Sequence, residues 1–289
     1  RFNTMLNSLN AGVSGLQQFQ GQIDLIGNNI ANVNTSGYKS ARLNFEDTFG
    51  QAMVNGGSNV VASNFGSGVA SGGISTSFSA GGLTTTSSAS DVAVRDGDGF
   101  FMVKDPINDK EFATRVGNFK VDNEGFLTTN QGLRVQGLLG DGNQGAGDLK
   151  FRDDLTIRGA FEPGNASFVG AEIERDGTIR VHFDDQRSYK GGQILLQQFG
   201  APQELSKQGG NLYGNLQAAA PVDSAGQPFG WQPGTGSVGM LQSRAIESSN
   251  VDLTGEFSSL IMAQRAFQAN ARMISTSDEL LQELVNLTR

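Results

Sequence analysis

Cysteine is absent from this 289-residue chain. That excludes disulfides, thiolate metal sites and cysteine nucleophiles, so stability must come from packing or from assembly into something larger. Proline is scarce, at 6 residues against 40 glycines, and chain flexibility therefore comes from glycine, not from stiff extended linkers. No run of eighteen apolar residues occurs, so no segment reads as a membrane-spanning helix. Nothing resembles a basic stripe, and the formal charge of −8 argues against a nucleic-acid partner. The first residues lack the parts of a cleaved leader, with Arg1 alone as a charge and no continuous apolar stretch. The expectation is a cytoplasmic protein or one that leaves the cell by a route without a cleaved signal peptide.

What is present is a pair of seven-residue apolar repeats at the two ends. Phe2, Leu9, Leu16, Ile23 and Ile30 recur at that interval, with Leu6 and Val13 between them. Leu253, Leu260, Phe267, Ile274 and Leu281 repeat it near the end, supported by Phe257, Ile261, Leu284 and Val285. A strict heptad predicts a helix whose narrow apolar seam stays against one partner and supercoils with it. The seam Leu9, Leu16, Ile23, Ile30, Leu253, Leu260, Phe267, Ile274 and Leu281 is the candidate self-assembly surface. Across residues 1–30 only Arg1 and Asp24 are charged, which suits a helix surrounded by neighbours. An amphipathic helix packed on its own domain has the same periodicity.

Between the helices the pattern changes to strands. Residues 36–90 are rich in Gly, Ser, Thr and Asn and read as a connector with extended segments, Ile74–Phe78 alternating as one strand. From Asp91 short alternating runs follow one another, among them Val92–Val94, Phe100–Val103, Phe112–Arg115 and Leu133–Val135. Turn residues such as Asp96-Gly97, Asn123-Glu124-Gly125, Asn130-Gln131-Gly132 and Asp176-Gly177 separate strands here and further along. The expected fold is α+β. Long terminal helices, 1–35 and 248–289, pair as a coiled-coil-like assembly domain, and an antiparallel all-β domain occupies 91–247.

No constellation for chemistry emerges. Asp96-Gly97-Asp98-Gly99 lacks the further ligand positions of a calcium loop and reads as a hairpin turn. His182, the one histidine, alternates with Ile179, Val181 and Phe183 and falls on the opposite strand face. Asp153-Asp154 and Asp184-Asp185 flank strands without the spacing of an acid–base pair, and Phe229 and Trp231 read as loop anchors. The reading assigns no catalytic residue, no cofactor, no metal and no small-molecule substrate.

The most specific stretch runs Leu25-Ile26-Gly27-Asn28-Asn29-Ile30-Ala31-Asn32-Val33-Asn34-Thr35-Ser36-Gly37-Tyr38-Lys39. Asn28, Asn29, Asn32 and Asn34 crowd a helix end where asparagine is a poor choice unless its amide is bonded to something fixed. Thr35 follows them, Gly37 offers a left-handed exit and Tyr38 an anchor. This stretch resembles the N-terminal signature of bacterial flagellar rod and hook proteins. Gly12–Leu16, Phe45–Asp47, Asp91–Phe101, Gly209–Tyr213 and the run from Glu247 through Ala263–Asn270 to Leu287 are also similar to that family.

The resemblance implies a non-enzymatic axial subunit of the flagellum, a homo-oligomer that stacks into a helical tube with its helices inside and its β domain outside. It implies export through the flagellum's own type III channel. Implied partners are the export apparatus, a cap protein, and neighbouring rod and hook–filament junction proteins. The location is the hook or the periplasm-spanning basal body. The C-terminal motifs look more like a hook subunit, and the modest length looks more like the distal rod. A short hook subunit, serving as a flexible universal joint, satisfies both and is the expectation, with the Gly-rich segment 55–90 easing its bending. The alternative is a distal rod subunit in a rigid drive shaft.

Overall fold

A computed structural model describes residues 2–48, 51–52, 64–65, 68–139, 146–150, 168–183, 188–222 and 230–287. The fold is α+β, with helices α1 (Phe2–Ala31) and α2 (Leu253–Leu287) flanking a middle of antiparallel strands. The chain forms two compact units. One holds residues 1–33, 40–77 and 251–289, and the other holds 34–39 and 78–250.

In the helical unit α1 and α2 lie side by side. Two glycines set how closely they approach. A Cβ on Gly12 would sit 3.3 Å from Cγ1 of Ile274, and one on Gly15 would sit 2.7 Å from Nδ2 of Asn270. Asp252 starts α2 as its N-cap, its carboxylate accepting the Thr254 amide at 3.0 Å. The strand Ala41–Asp47 pairs antiparallel with Val69–Thr76, with an irregularity between Leu43 and Phe45. The pair rests on α1. Phe45 meets the Phe19 ring at 5.8 Å between centroids, and the Ser14 hydroxyl accepts the Val69 amide at 3.2 Å.

In the β unit every strand pairing among the described residues is antiparallel. The strand Phe100–Lys104 is buried on both faces because its side chains alternate between two cores. Phe101 and Val103 join Val92, Phe119, Val135, Ile179, Val181 and Ile194, while Phe100 and Met102 join Phe199, Leu205 and Tyr213. Asp176-Gly177 turns the hairpin of Phe168–Ile173 and Thr178–Phe183, with Gly177 at φ +81°. Trp231 packs partly buried against the larger core.

One expectation fails. Asp96-Gly97-Asp98-Gly99 is not a hairpin turn, because Val92–Arg95 pairs with Met240–Ser243 and not with Phe100–Lys104. Gly97 is required for a different reason: a Cβ there would lie 2.3 Å from the Gly239 nitrogen, so the two chain segments cross at backbone contact. Asp153, Asp154, Asp184, Asp185 and Phe229 lie outside the described residues.

Candidate assembly site at the chain crossings

The asparagine-rich motif spans both units, and each half has its own bonding. In the helical unit Asn29 is almost fully buried, and its amide bonds like a backbone group. Nδ2 donates to the Ala41 carbonyl at 2.9 Å while Oδ1 accepts the Ala41 amide at 3.1 Å. The same Nδ2 also donates to Oε1 of Glu256 at 3.0 Å, so one side chain ties α1 to the strand and to α2. Asn32 closes the end of α1 by donating to the Asn28 carbonyl at 2.9 Å, and Asn28 and Asn34 are exposed.

In the β unit the residues after α1 meet those before α2. Gly37, at φ +68°, donates its amide to the Glu247 carbonyl at 2.8 Å. A Cβ at Gly37 would sit 2.8 Å from Cγ2 of Val116, which leaves glycine as the only unstrained residue there. Thr35 accepts the Tyr38 amide at 3.3 Å. Tyr38 is buried, with the Lys207 ammonium 4.9 Å from its ring centre.

Lys39 and Glu247 form the centre of this arrangement. The Lys39 Nζ lies 2.6 Å from Oε1 of Glu247 and donates to the Ser79 carbonyl at 2.7 Å. The Gly81 amide donates to the same Oε1 at 2.8 Å. Arg115 stands behind them, its Nη1 3.7 Å from Oε2 of Glu247 and its Nη2 donating to the Gly97 carbonyl at 3.0 Å. Asn250 completes the knot with hydrogen bonds to Tyr38 and Ser79. Burial pulls the Lys39 ammonium below the usual lysine range, with Glu247 pulling the other way, and it lowers Arg115 as well. Burial pushes the neighbouring Tyr213 phenol up.

The chain passes between its units at 33/34, 39/40, 77/78 and 250/251. Inside the β unit, Lys39 and Asn250, beside the second and fourth crossings, and Ser79, one residue from the third, take part in this hydrogen-bonded knot. Sequence reasoning reached its two motifs and missed that they touch. The available signal was charge: Lys39 is the first ionisable side chain after Asp24 other than Tyr38, and Glu247 is an acid within an alternating strand.

Along the candidate seam, Leu9, Leu16, Ile23 and Ile30 are partly buried, as are Leu260, Phe267, Ile274 and Leu281. Leu253 is exposed. On α2 the apolar side chains Phe257, Ile261, Met262 and Met273 are exposed. His182 is half-exposed beside Glu172 at 3.9 Å, and the described residues place no nucleophile in a relay with it.

Three family descriptions match the chain in order. "Flagella basal body rod protein" covers residues 9–39, "Flagellar hook protein FlgE/F/G D1 domain" covers 95–181, and "Flagellar basal body rod FlgEFG protein C-terminal" covers 242–287. The flagellar basal-body rod protein FlgG of Bacillus subtilis (strain 168) is 39% identical over 99% of this chain and 100% of its own length. That of Caulobacter vibrioides (strain ATCC 19089 / CIP 103742 / CB 15) is 32% identical over 96% of this chain and 97% of its own. The flagellar hook protein FlgE of Escherichia coli (strain K12) is 36% identical over 46% of this chain and 31% of its own. Aligned from end to end with rod proteins and carrying the family's regions at both helices and in the β unit, the chain belongs to the structural, non-enzymatic family of flagellar rod and hook proteins.

Proposed function

We infer that this protein is a distal rod subunit of the flagellar basal body. The observation that carries this is coverage: rod relatives align over nearly the whole of both chains, whereas the hook relative aligns over 31% of its length. The hook reading rested on end motifs that rod and hook proteins share, and it gives way to the alternative. One β unit between two helices suits a subunit without the extra domain of a longer relative.

In this reading the helices supply the inner layer of a helical tube and the β unit its outer layer. The terminal seams pair as a coiled coil once neighbours are present. Large apolar side chains such as Phe257 and Ile261 then leave water, each contributing roughly 1.5–3 kcal/mol. Subunits reach the tip through the flagellar export apparatus and join adjacent axial proteins there. The shaft is rigid, because its task is to transmit torque without bending.

Electron microscopy of basal bodies from a strain lacking the gene tests this. A rod that stops short of its distal end is expected. A complete rod missing only the hook would restore the hook reading, and intact motile flagella would remove the protein from the axis.

A further inference from the structure

The β unit takes its two buried cations from early in the chain and their anion from late in it. Lys39 and Arg115 are sealed, at 0% and 1% side-chain exposure, and Glu247, at 1%, is the acid they share. Arg115 is held by its own neighbourhood in the chain, its guanidinium carbon 4.8 Å from the Phe100 ring centre and its Nη2 bonded to the Gly97 carbonyl. Lys39 belongs to the first segment of the unit and bonds to Ser79. No other acid among the described residues forms an ion pair with either cation. Asp98 acts on both from farther off and stands exposed. Even with Glu247 in place, Nε and Nη1 of Arg115 and Oε2 of Glu247 lack hydrogen-bond partners. A buried network satisfied only in part adds little stability, and apolar side chains of similar volume often fill such a space without loss.

Glu247 arrives with the segment that closes the unit. Met240–Ser243 pairs with Val92–Arg95, and Ala245–Glu247 pairs with Leu83–Thr85. Neither early strand has another strand partner among the described residues. The other described strands of the β unit all end by Val222, so most of the apolar core is present in the chain before Glu247 is. We propose that Lys39 and Arg115 act as a veto on early closure, holding the β unit open until the segment that carries Glu247 docks. Packing without that segment would seal two cations with no counter-charge, which is strongly unfavourable, whereas apolar residues at the same positions would bury freely. The interval is long. Glu247 follows Lys39 by 208 positions, on the order of 10–40 s of synthesis at about 5–20 residues per second. An unfinished or C-terminally shortened chain therefore stays open, and a chain carrying both ends of the unit closes. The veto is a property of this chain alone and does not depend on the rod assignment.

Pulse-labelled amide exchange, during refolding of the intact purified chain from urea, tests this. In wild type Phe100–Lys104 and Thr178–Phe183 are expected to gain protection in the same step as Met240–Ser243 and Ala245–Glu247. Protection of the first two strands at least threefold ahead of the last two overturns the veto. K39M/R115M/E247L has no charge to bury here, and in it the two earlier strands should run at least threefold ahead. If all four still gain protection together, the charges are not what delays closure and the veto falls. E247Q keeps both cations and removes their counter-charge, so it should refold at least tenfold more slowly than wild type. Refolding of E247Q at the wild-type rate overturns the veto, and this arm decides even where the triple variant does not fold.

Discussion

The Lys39 ammonium lies 2.6 Å from a Glu247 carboxylate oxygen, and both side chains are sealed from solvent. The two residues are 208 positions apart. One closes the asparagine-rich motif and the other opens the C-terminal one. With Arg115 they make a cation–anion–cation triad in the β unit. Such a cluster is costly to desolvate, and its benefit lies in permitting a single arrangement of the groups around it.

Glu247→Gln removes the anion and leaves two cations buried without a counter-charge. The expected loss is about 3–5 kcal/mol, read by urea unfolding of the purified protein. Replacing all three together (K39M, R115M and E247L) should cost far less, because no charge is then stranded. Equal losses in the two variants would mean that the cluster contributes through shape alone.

Gly37→Ala adds a side chain at φ +68° with Val116 already 2.8 Å from the new carbon. The left-handed conformation alone costs roughly 1–2 kcal/mol for a non-glycine residue. The drop should show in thermal unfolding followed by the β signal, and an unchanged midpoint would contradict the geometry.

Asn29→Asp is nearly isosteric and should be worse than Asn29→Ala. The aspartate would turn an oxygen toward the Ala41 carbonyl and the Glu256 carboxylate, both of which now accept a hydrogen bond from Nδ2. Burying an acceptor against acceptors carries a full desolvation penalty of about 1–3 kcal/mol. Helicity at 222 nm during unfolding distinguishes the two variants.

Tyr213 governs the alkaline limit. Its folded-state pKa is raised above the ordinary 10.0 by burial, so the folded protein keeps a proton that the unfolded chain releases. Stability from this group is complete below pH 10 and is lost as pH climbs beyond it. Lys39 works in the other direction: its lowered pKa means that stability rises with pH on the approach to 10.5. Tyr213→Phe should therefore flatten the decline above pH 10, measured as the unfolding midpoint against pH.

A chelator should leave the melting curve unchanged, because no described cluster of three His, Asp or Glu side chains can hold a metal ion. A shift of several degrees on adding EDTA would contradict this.

The periodicity of seven located both helices, and alternation located strands such as Thr178–Phe183, because each pattern reports which face of an element is buried. Neither pattern names the partner. Val92–Arg95 therefore read as half of a local hairpin, although its mate is Met240–Ser243. The Lys39–Glu247 contact was hidden for the same reason. The choice between hook and rod was illegible at the chain ends, since both kinds of protein share those motifs. The proposal of a rod subunit rests instead on how far along the chain the likeness extends.

The knot around Lys39 and Glu247 also defines a load path. Force carried along the polypeptide into the β unit arrives through four covalent strands, three of which meet one buried patch at Lys39, Ser79 and Asn250. A single tether would act as a swivel. Strands fixed to one patch share a pull that is applied to any one of them.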